Sequence, residues 1–269
     1  MKFSVLLSVY TQESPSYLKE AMESIWERQT LKPDQIVLVK DGPLCSELED
    51  EIVSWKVKLG DVLTLVELPQ NIGLGGALNA GLKACRNELV ARMDTDDIAL
   101  PQRFEKQVEF MLRNPSIAAS SATIEEWDES FSFRISERKL PVSSAELRKF
   151  AIRRSPLSHP VSIFRKSIIE SVGGYPDLRK AQDYALWSLL LSKGYQLTNL
   201  PDTLLKMRSG KEMLTRRGYF YFKQECRLMR YQKRIGFLST KNLIVNTSLK
   251  AVLRLSPRFT KKIIYRFAR

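Results

Sequence analysis

The 269-residue chain is 43% apolar, enough to bury one sizeable core or two small ones, which excludes a disordered chain and a disulfide-stapled mini-protein. Its 43 lysines and arginines against 30 aspartates and glutamates give a net charge of +13, but residues 206–269 hold 18 basic and 2 acidic residues, leaving −3 on the rest. Cys45, Cys85 and Cys226 are odd in number and lack metal-ligand spacing, and no window approaches the ~18 to 20 apolar residues of a membrane-spanning helix, so a cytoplasmic protein in a reducing compartment is expected.

Phe3 to Val9 is a run of β-formers, too short for a signal-peptide core and continuous enough for a strand covered on both faces. Ser16 to Gln29 carries Leu18, Ala21, Met22, Ile25 and Trp26 on one helical stripe. Gln35 to Val39 is a second buried-type strand that stops at Lys40-Asp41-Gly42-Pro43, followed by a helix over Leu44 to Lys58 and a third strand over Val62 to Leu68. Pro69 to Gly76 reads as a glycine-bearing loop, Ala77 to Ala84 as a helix, and Leu89 to Met93 as a fourth strand ending in acids. This alternation predicts an α/β fold with a mainly parallel sheet wound with helices. Beyond it, Pro101 to Arg113 and Ala181 to Lys193 read as helices, Ile117 to Ala122 as a strand, Arg165 to Val172 as a helix and Gly173 to Pro176 as a loop.

Ligands of such sheets bind at the carboxyl ends of the strands. Three of those ends are polar, at Ser8-Val9-Tyr10, Lys40-Asp41-Gly42 and Asp94-Thr95-Asp96-Asp97, so Tyr10, Asp41 and the acid cluster are expected to share one crevice. Three carboxylates in four residues repel one another unless a cation joins them, and Mn²⁺ or Mg²⁺ suits oxygen ligands of this kind. The competing use, capping the helix after Pro101, needs only one acid. A haloacid-type phosphatase would carry its Asp-x-Asp after the first strand, and a dinucleotide fingerprint would place G-x-G-x-x-G in the first strand-to-helix turn. That turn reads Tyr10-Thr-Gln-Glu-Ser14, and the glycines of Gly73-Leu-Gly-Gly76 follow the third strand.

Taken in order, Ser8-Val9-Tyr10, Asp41-Gly42, Asn71 to Gly81, Arg92 to Ile98 with Pro101 and Arg103, Gly173-Gly174-Tyr175 and Gln182-Asp183-Tyr184 resemble the inverting family 2 glycosyltransferases of GT-A fold over residues 3 to 205. The resemblance implies transfer of a sugar from a nucleoside diphosphate to a hydroxyl. It implies that Ser8 and Tyr10 wall the uracil and ribose, that Asp41 accepts from a uracil N–H, and that Asn71 and Gly73 lie beneath the donor. It also implies that Asp94 and Asp96 form the DxD element, with Asp96 the direct metal ligand and Asp94 facing ribose or metal-bound water. The family's acid pair, usually Glu-Asp, is Gln182-Asp183 here, which retains Asp183 as the catalytic base; Lys40 stands where an acid is commoner. One base suits a single in-line displacement with inversion. His159, beside Pro160, occupies the place of a His-Pro found in bacterial relatives; an acceptor-site role and a structural role both stay open, and Gln182 is a further acceptor-side candidate.

The basic C-terminal quarter lacks RNA- and DNA-binding signatures, although Tyr219 to Phe222 interleave with Arg216, Arg217 and Lys223 as in single-strand binders. Leu249, Val252, Leu253, Phe259, Ile263, Ile264 and Phe267 alternate with basic residues around Pro257, a basic amphipathic arrangement suited to an anionic membrane surface. A solvated helix pair packed on the catalytic body is the structural alternative. The stretch from Met207 to Gly218 resembles bacterial O-antigen and capsule transferases that extend lipid-linked sugars, which makes Arg208 a diphosphate candidate. The expected organisation is a catalytic domain over 1–205, with 1–98 for the nucleotide and 99–205 for the acceptor, and a membrane-surface attachment region over 206–269. The expected activity moves a hexose, glucose or galactose in β linkage, from a UDP-sugar to an undecaprenyl-diphosphate-linked N-acetylhexosamine at the inner face of the membrane. A different donor or a soluble acceptor is the enzymatic alternative, and a basic nucleic-acid-binding α/β protein the other.

Overall fold

The computed structural model describes residues 1–209 and 218–255. The first half follows the sequence pattern closely, as β1 (Phe3–Val9), α1 (Pro15–Trp26), β2 (Gln35–Lys40), α2 (Ser46–Leu59), β3 (Leu63–Glu67), α3 (Leu74–Ala84) and β4 (Leu89–Arg92). Strand β1 is parallel to both β2 and β4, and β2 is parallel to β3. Side chains alternate across β1, so Phe3, Val5, Leu7 and Val9 meet Leu18, Met22 and Ile25 of α1 on one face while Leu6 joins Leu78 and Leu82 of α3 on the other. Both faces are buried, which is why the strands read as unbroken apolar runs.

Helix α3 starts at Leu74, three residues earlier than the sequence suggests, because Gly73 takes φ +82 and turns the chain directly into the helix, making Gly75 and Gly76 helical. Its approach to the sheet is close. A Cβ on Gly81 would lie 2.5 Å from both Leu6 Cδ1 and Val39 Cγ2, so only glycine lets α3 rest on β1 and β2 at this separation.

The second half holds β5 (Ile98–Ala99), α4 (Arg103–Arg113), β6 (Ile117–Trp127), β7 (Arg134–Arg138), α5 (Ser144–Ala151), β8 (Ile163–Arg165), α6 (Lys166–Ser171), α7 (Gln182–Ser192) and β9 (Gln196–Arg208). The sheet runs β3-β2-β1-β4-β8-β6-β9-β5, with β7 attached to β6. Strand β8 is antiparallel to β4 and to β6, whereas β6 and β9 are parallel. The fold is therefore α/β with a mixed, mainly parallel sheet flanked by helices, as expected. Strand β6 continues to Trp127, past the expected end at Ala122, because its outer part pairs with β7 on one side and β9 on the other.

Two further helices, α8 (Tyr219–Arg234) and α9 (Thr240–Leu255), pack on this body. Gln232 Nε2 donates to Ser188 Oγ of α7 at 2.8 Å, and Asn246 Nδ2 donates to the Ile152 carbonyl at 2.7 Å. Glu225 of α8 binds Lys250 and Arg254 of α9. Among the described residues no helix is long and apolar enough to cross a membrane. Arg216, Arg217 and the tail from Pro257 to Phe267 lie outside the described residues.

Candidate active site

The loop after β4 carries the acids. Asp94, Asp96 and Asp97 each bring a carboxylate oxygen within 4.8 Å of the others. Asp94 pairs with Arg92, which is 1% exposed and keeps Nε and Nη1 without hydrogen-bond partners. Asp97 is buried; one oxygen accepts from the Arg208 N–H at 2.8 Å and the other has no partner. Burial and the charges of Asp94 and Glu13 raise Asp96 to about 7, and burial with the charges of Asp96 and Asp94 pushes Asp97 well above the ordinary carboxylate range. A divalent cation would relieve both the repulsion and the orphaned oxygen, so the donor set fits Mn²⁺ or Mg²⁺. Asp97, the third acid of the cluster seen in the sequence, thus stands beside the Asp94–Asp96 pair that the family resemblance implies as metal ligands.

Behind the cluster, Arg103 is fully buried, donates to the Arg92 carbonyl and to Gln107 Oε1, and burial lowers it to about 9. In front, Thr95 donates to Glu13 Oε2 at 2.7 Å, tying the acid loop to the turn after β1. Ser8 is half-buried at the end of β1, and Tyr10 is 41% exposed at the mouth.

Asp41, at the end of β2, is buried and accepts from the Ile72 N–H at 2.8 Å and the Gly73 N–H at 3.1 Å, while Asn71 Nδ2 donates to the Asp41 carbonyl at 3.3 Å. The carboxylate thus shapes the turn that launches α3. Gly42 permits the contact, since a Cβ there would fall 2.7 Å from the Asn71 nitrogen. Asp41, Asn71 and Gly73 are therefore joined as one unit, and in this structure Asp41 holds the turn.

Asp183 is the second residue of α7, whose cap Ala181 sits at φ +59. Burial raises the Asp183 carboxyl above its ordinary value; the Tyr184 N–H and the Arg92 charge pull it back, and Asp94 adds to the rise. Asp183 and the acid cluster thus share one electrostatic field with Arg92 between their influences. Gln182 is buried beside α3, where a Cβ on Gly75 would lie 3.3 Å from Gln182 Cγ and 3.8 Å from the Pro176 carbonyl.

His159 is buried, with Nε2 hydrogen-bonded to Tyr175 Oη at 3.0 Å and its ring edge-on to Tyr175 and Trp187. Burial, aided by the Arg92 charge, holds it well below the usual imidazole value, so it is neutral. Tyr175 is itself fixed by Asn79, which donates to its carbonyl at 2.9 Å and accepts from its N–H at 2.7 Å. Arg208 donates through Nε to the Asp96 carbonyl at 2.9 Å and through Nη2 to Glu20 at 2.7 Å, and stacks between Tyr17 and Phe131. Its guanidinium is occupied by protein partners that brace the acid loop.

Sequence reasoning passed over Glu13, Glu20, Asn79 and Tyr175 as individual contributors. Asn79 lies on the Asn71 to Gly81 motif at helical spacing from Gly75, a position that aims it at the same side of α3; Glu13 and Glu20 gave no spacing signal because their partners are remote in sequence.

An acid cluster at the carboxyl end of β4, with the Asp183 carboxylate at the start of α7 in its electrostatic field, on a mixed, mostly parallel sheet flanked by helices, is the arrangement of a GT-A-like glycosyltransferase. Residues 4–173 match the sequence family "Glycosyl transferase family 2", and the chain belongs to that family. It is 40% identical over 268 residues, 98% of this chain and 97% of the relative, to the amylovoran biosynthesis glycosyltransferase AmsE of Erwinia amylovora. It is 36% identical, over 98% of this chain and 95% of the relative, to an Escherichia coli UDP-Gal:alpha-D-GlcNAc-diphosphoundecaprenol beta-1,3-galactosyltransferase. A mannosyltransferase of Pyrobaculum calidifontis, solved with GDP-Man and Mn²⁺, shares the fold with TM-score 0.62 and 18% identity over 93% of this chain and 69% of that one.

Proposed function

We propose that this glycosyltransferase moves glucose or galactose, with inversion to a β linkage, from a UDP-sugar to an N-acetylhexosamine carried on undecaprenyl diphosphate during O-antigen or capsule assembly. The carrying observation is the Asp183 carboxylate at the start of α7, half-buried, raised above its ordinary value by desolvation and within the fields of Arg92 and Asp94 of the acid cluster. The galactosyl donor and lipid-diphosphate acceptor named for the Escherichia coli relative support the substrate classes.

In this reading the acceptor hydroxyl gives its proton to an Asp183 oxygen as it attacks the anomeric carbon, and the nucleoside diphosphate leaves from the opposite side. Burial raises the basicity of Asp183, and the Tyr184 N–H orients it. Asp96, Asp94 and Asp97 would hold Mn²⁺ or Mg²⁺, which supplies counter-charge to the leaving diphosphate. Ser8, Tyr10 and the Asp41–Asn71–Gly73 unit bound the nucleotide, while Gln182 packs on α3 beside the base and His159 keeps Tyr175 in place. Residues 1–98 then serve the donor and 99–205 the acceptor.

Residues 206–269 attach the enzyme to the inner face of the membrane. Helix α9 leaves Ile244, Val245, Leu249 and Val252 exposed, apolar anchors beside a strongly basic tail, and each Lys or Arg near an anionic surface contributes roughly 1 kcal/mol.

A panel of UDP-hexoses assayed against a synthetic N-acetylglucosamine diphosphate alkyl ester, with and without Mn²⁺, tests the activity. Chelator-sensitive turnover with UDP-glucose or UDP-galactose is expected; turnover with GDP-sugars alone, or with soluble sugars alone, overturns it. Deleting residues 241–269 should abolish sedimentation with anionic liposomes, and unchanged sedimentation overturns the attachment.

A further inference from the structure

A groove of about 460 Å³ lies between the turn at Pro176 to Leu178 and helix α8, which lines it with Arg227, Arg230, Tyr231 and Arg234. The arginines fall at i, i+3 and i+7, so they share one helical face, while Gln224, Leu228, Met229 and Gln232 are buried on the other. All three are exposed, and none has a carboxylate within ion-pair distance among the described residues. Arg227 Nη1 donates to Gln224 Oε1 at 3.4 Å, and Arg234 lies 5.6 Å from the Tyr231 ring. The acid of α8, Glu225, is committed to Lys250 and Arg254 instead. Asp177 is the one acid among the groove residues, so three guanidinium groups and one carboxylate leave a local excess of two positive charges.

Such an excess, unneutralised and gathered in a concave site, matches a ligand with two or more negative charges and planar-recognised oxygens; guanidinium groups bind phosphate through paired N–H donors. The groove's position says which phosphate. Its turn follows Tyr175, clamped by Asn79 and His159, and the Pro176 carbonyl borders the same glycine, Gly75, as Gln182. Five residues after Leu178 the chain reaches Asp183. The opposite wall, α8, is fastened to α7 through Gln232 and Ser188. The groove thus opens beside the helix that carries the base, whereas the donor diphosphate belongs with the acids after β4.

We propose that Arg227, Arg230 and Arg234 bind the diphosphate of the acceptor, holding its sugar so that a hydroxyl faces Asp183. This rests on the lipid-diphosphate acceptor proposed above, and it assigns that acceptor's charged group to α8.

The test uses the full-length enzyme, UDP-galactose and UDP-glucose, and two acceptors bearing the same sugar: an N-acetylglucosamine diphosphate alkyl ester and the matching alkyl glycoside without phosphate. Arg230→Ala/Arg234→Ala should raise KM for the diphosphate acceptor at least tenfold while leaving KM for the UDP-sugar unchanged, and Arg230→Lys/Arg234→Lys should recover part of the loss. KM for the diphosphate acceptor unchanged in the alanine variant overturns the groove assignment alone. An equal rise for the phosphate-free glycoside also overturns it, because the arginines would then act through the structure of the site. Loss of binding to phosphatidylglycerol vesicles with unaltered acceptor KM in detergent overturns it in favour of a bilayer contact. A wild-type enzyme that uses the glycoside and refuses the diphosphate acceptor refutes the lipid-linked acceptor itself, and the groove assignment with it.

Discussion

The two halves of the sheet differ in how their residues do their work. In β1 to β4 the strands are parallel, both faces are covered, and the polar residues Ser8, Asp41 and Asp94 lie at the ends of adjacent strands. From β5 onward the strands are mixed, and site residues are held across longer stretches of chain than the 31 and 32 residues that join Asp41 to Ile72 and Gly73: Tyr175 by Asn79 at a separation of 96, the acid loop by Arg208 at 111. A parallel βα unit therefore places chemistry by default, at strand ends and helix starts, whereas the other half places it by long-range hydrogen bonds. The proposed division of labour, donor on the first half and acceptor on the second, follows the same boundary.

The strongest way to break that division is Asp183→Asn. Transfer should fall at least about 10³-fold while UDP affinity, measured by titration calorimetry with Mn²⁺, stays within twofold. A matching loss of UDP affinity would merge the two halves into one functional unit. The kcat/KM of the wild type should decline on acidification with a midpoint above the ordinary aspartate value of 3.8, since burial raises Asp183. A midpoint at or below that value would show the base to be solvated.

Asp96→Asn addresses the donor half. Activity and Mn²⁺-dependent UDP binding should fall about 10²-fold or more, yet the metal-free variant should melt higher, by roughly 3 °C or more. The sign follows from linkage: a group raised from 3.8 to about 7 on folding destabilises the fold once pH exceeds its unfolded value, and asparagine removes that charge. A lower melting temperature would mean that Asp96 is structural.

Asp41→Ala should strip the acceptor from two N–H groups, destabilising the fold by about 1–3 kcal/mol for each donor left buried and unpaired, and weakening UDP binding through the displaced turn. Urea unfolding and UDP titration report the two effects separately. Smallest is the response of His159. Folded His159 stays neutral, whereas the unfolded chain takes up a proton below 6.5, so stability is complete above that pH and declines below it, by at most about 1.4 kcal/mol per pH unit. His159→Gln should flatten this dependence in denaturant melts from pH 7 to 5; an unchanged slope would assign it to other groups.

The same boundary explains what could be read from the sequence. Apolar runs at Phe3 to Val9, Gln35 to Val39 and Leu89 to Met93 announce buried parallel strands, and their polar ends announce the crevice. Strand β9 carries no such signal: Gln196, Pro201 and Asp202 interrupt it, and its burial comes from β6, almost 80 residues upstream, where Ser121 hydrogen-bonds Asn199 with a sequence separation of 78. Strand β7 is largely exposed and follows a turn built on Asp128, which accepts from the Phe133 N–H. Helix α5 has a legible start in Ser143-x-x-Glu146, where Ser143 Oγ accepts from the Glu146 N–H and donates to the Glu146 carboxylate. Arg92 could be read as part of a motif but not as a fully buried cation, because that depends on the tertiary contacts with Asp94, which pairs with it, and Arg103, which donates to its carbonyl. The arginine face of α8 was visible only as charge excess, since nothing in the spacing tells which surface lies opposite.

Arg208 has a consequence for the order in which the enzyme is made. Its N–H reaches back 111 residues to Asp97, and its guanidinium 188 residues to Glu20. A nascent chain can pair β1 to β4 and cover them with α1 to α3 while β9 is still unsynthesised. The acids after β4 are then present but unbraced, and the late contacts of high sequence separation that seat them form only after most of the chain has been made. On the proposed metal role, cation capture should therefore coincide with completion of the fold, and a chain arrested before β9 should bind Mn²⁺ more weakly than the full-length protein.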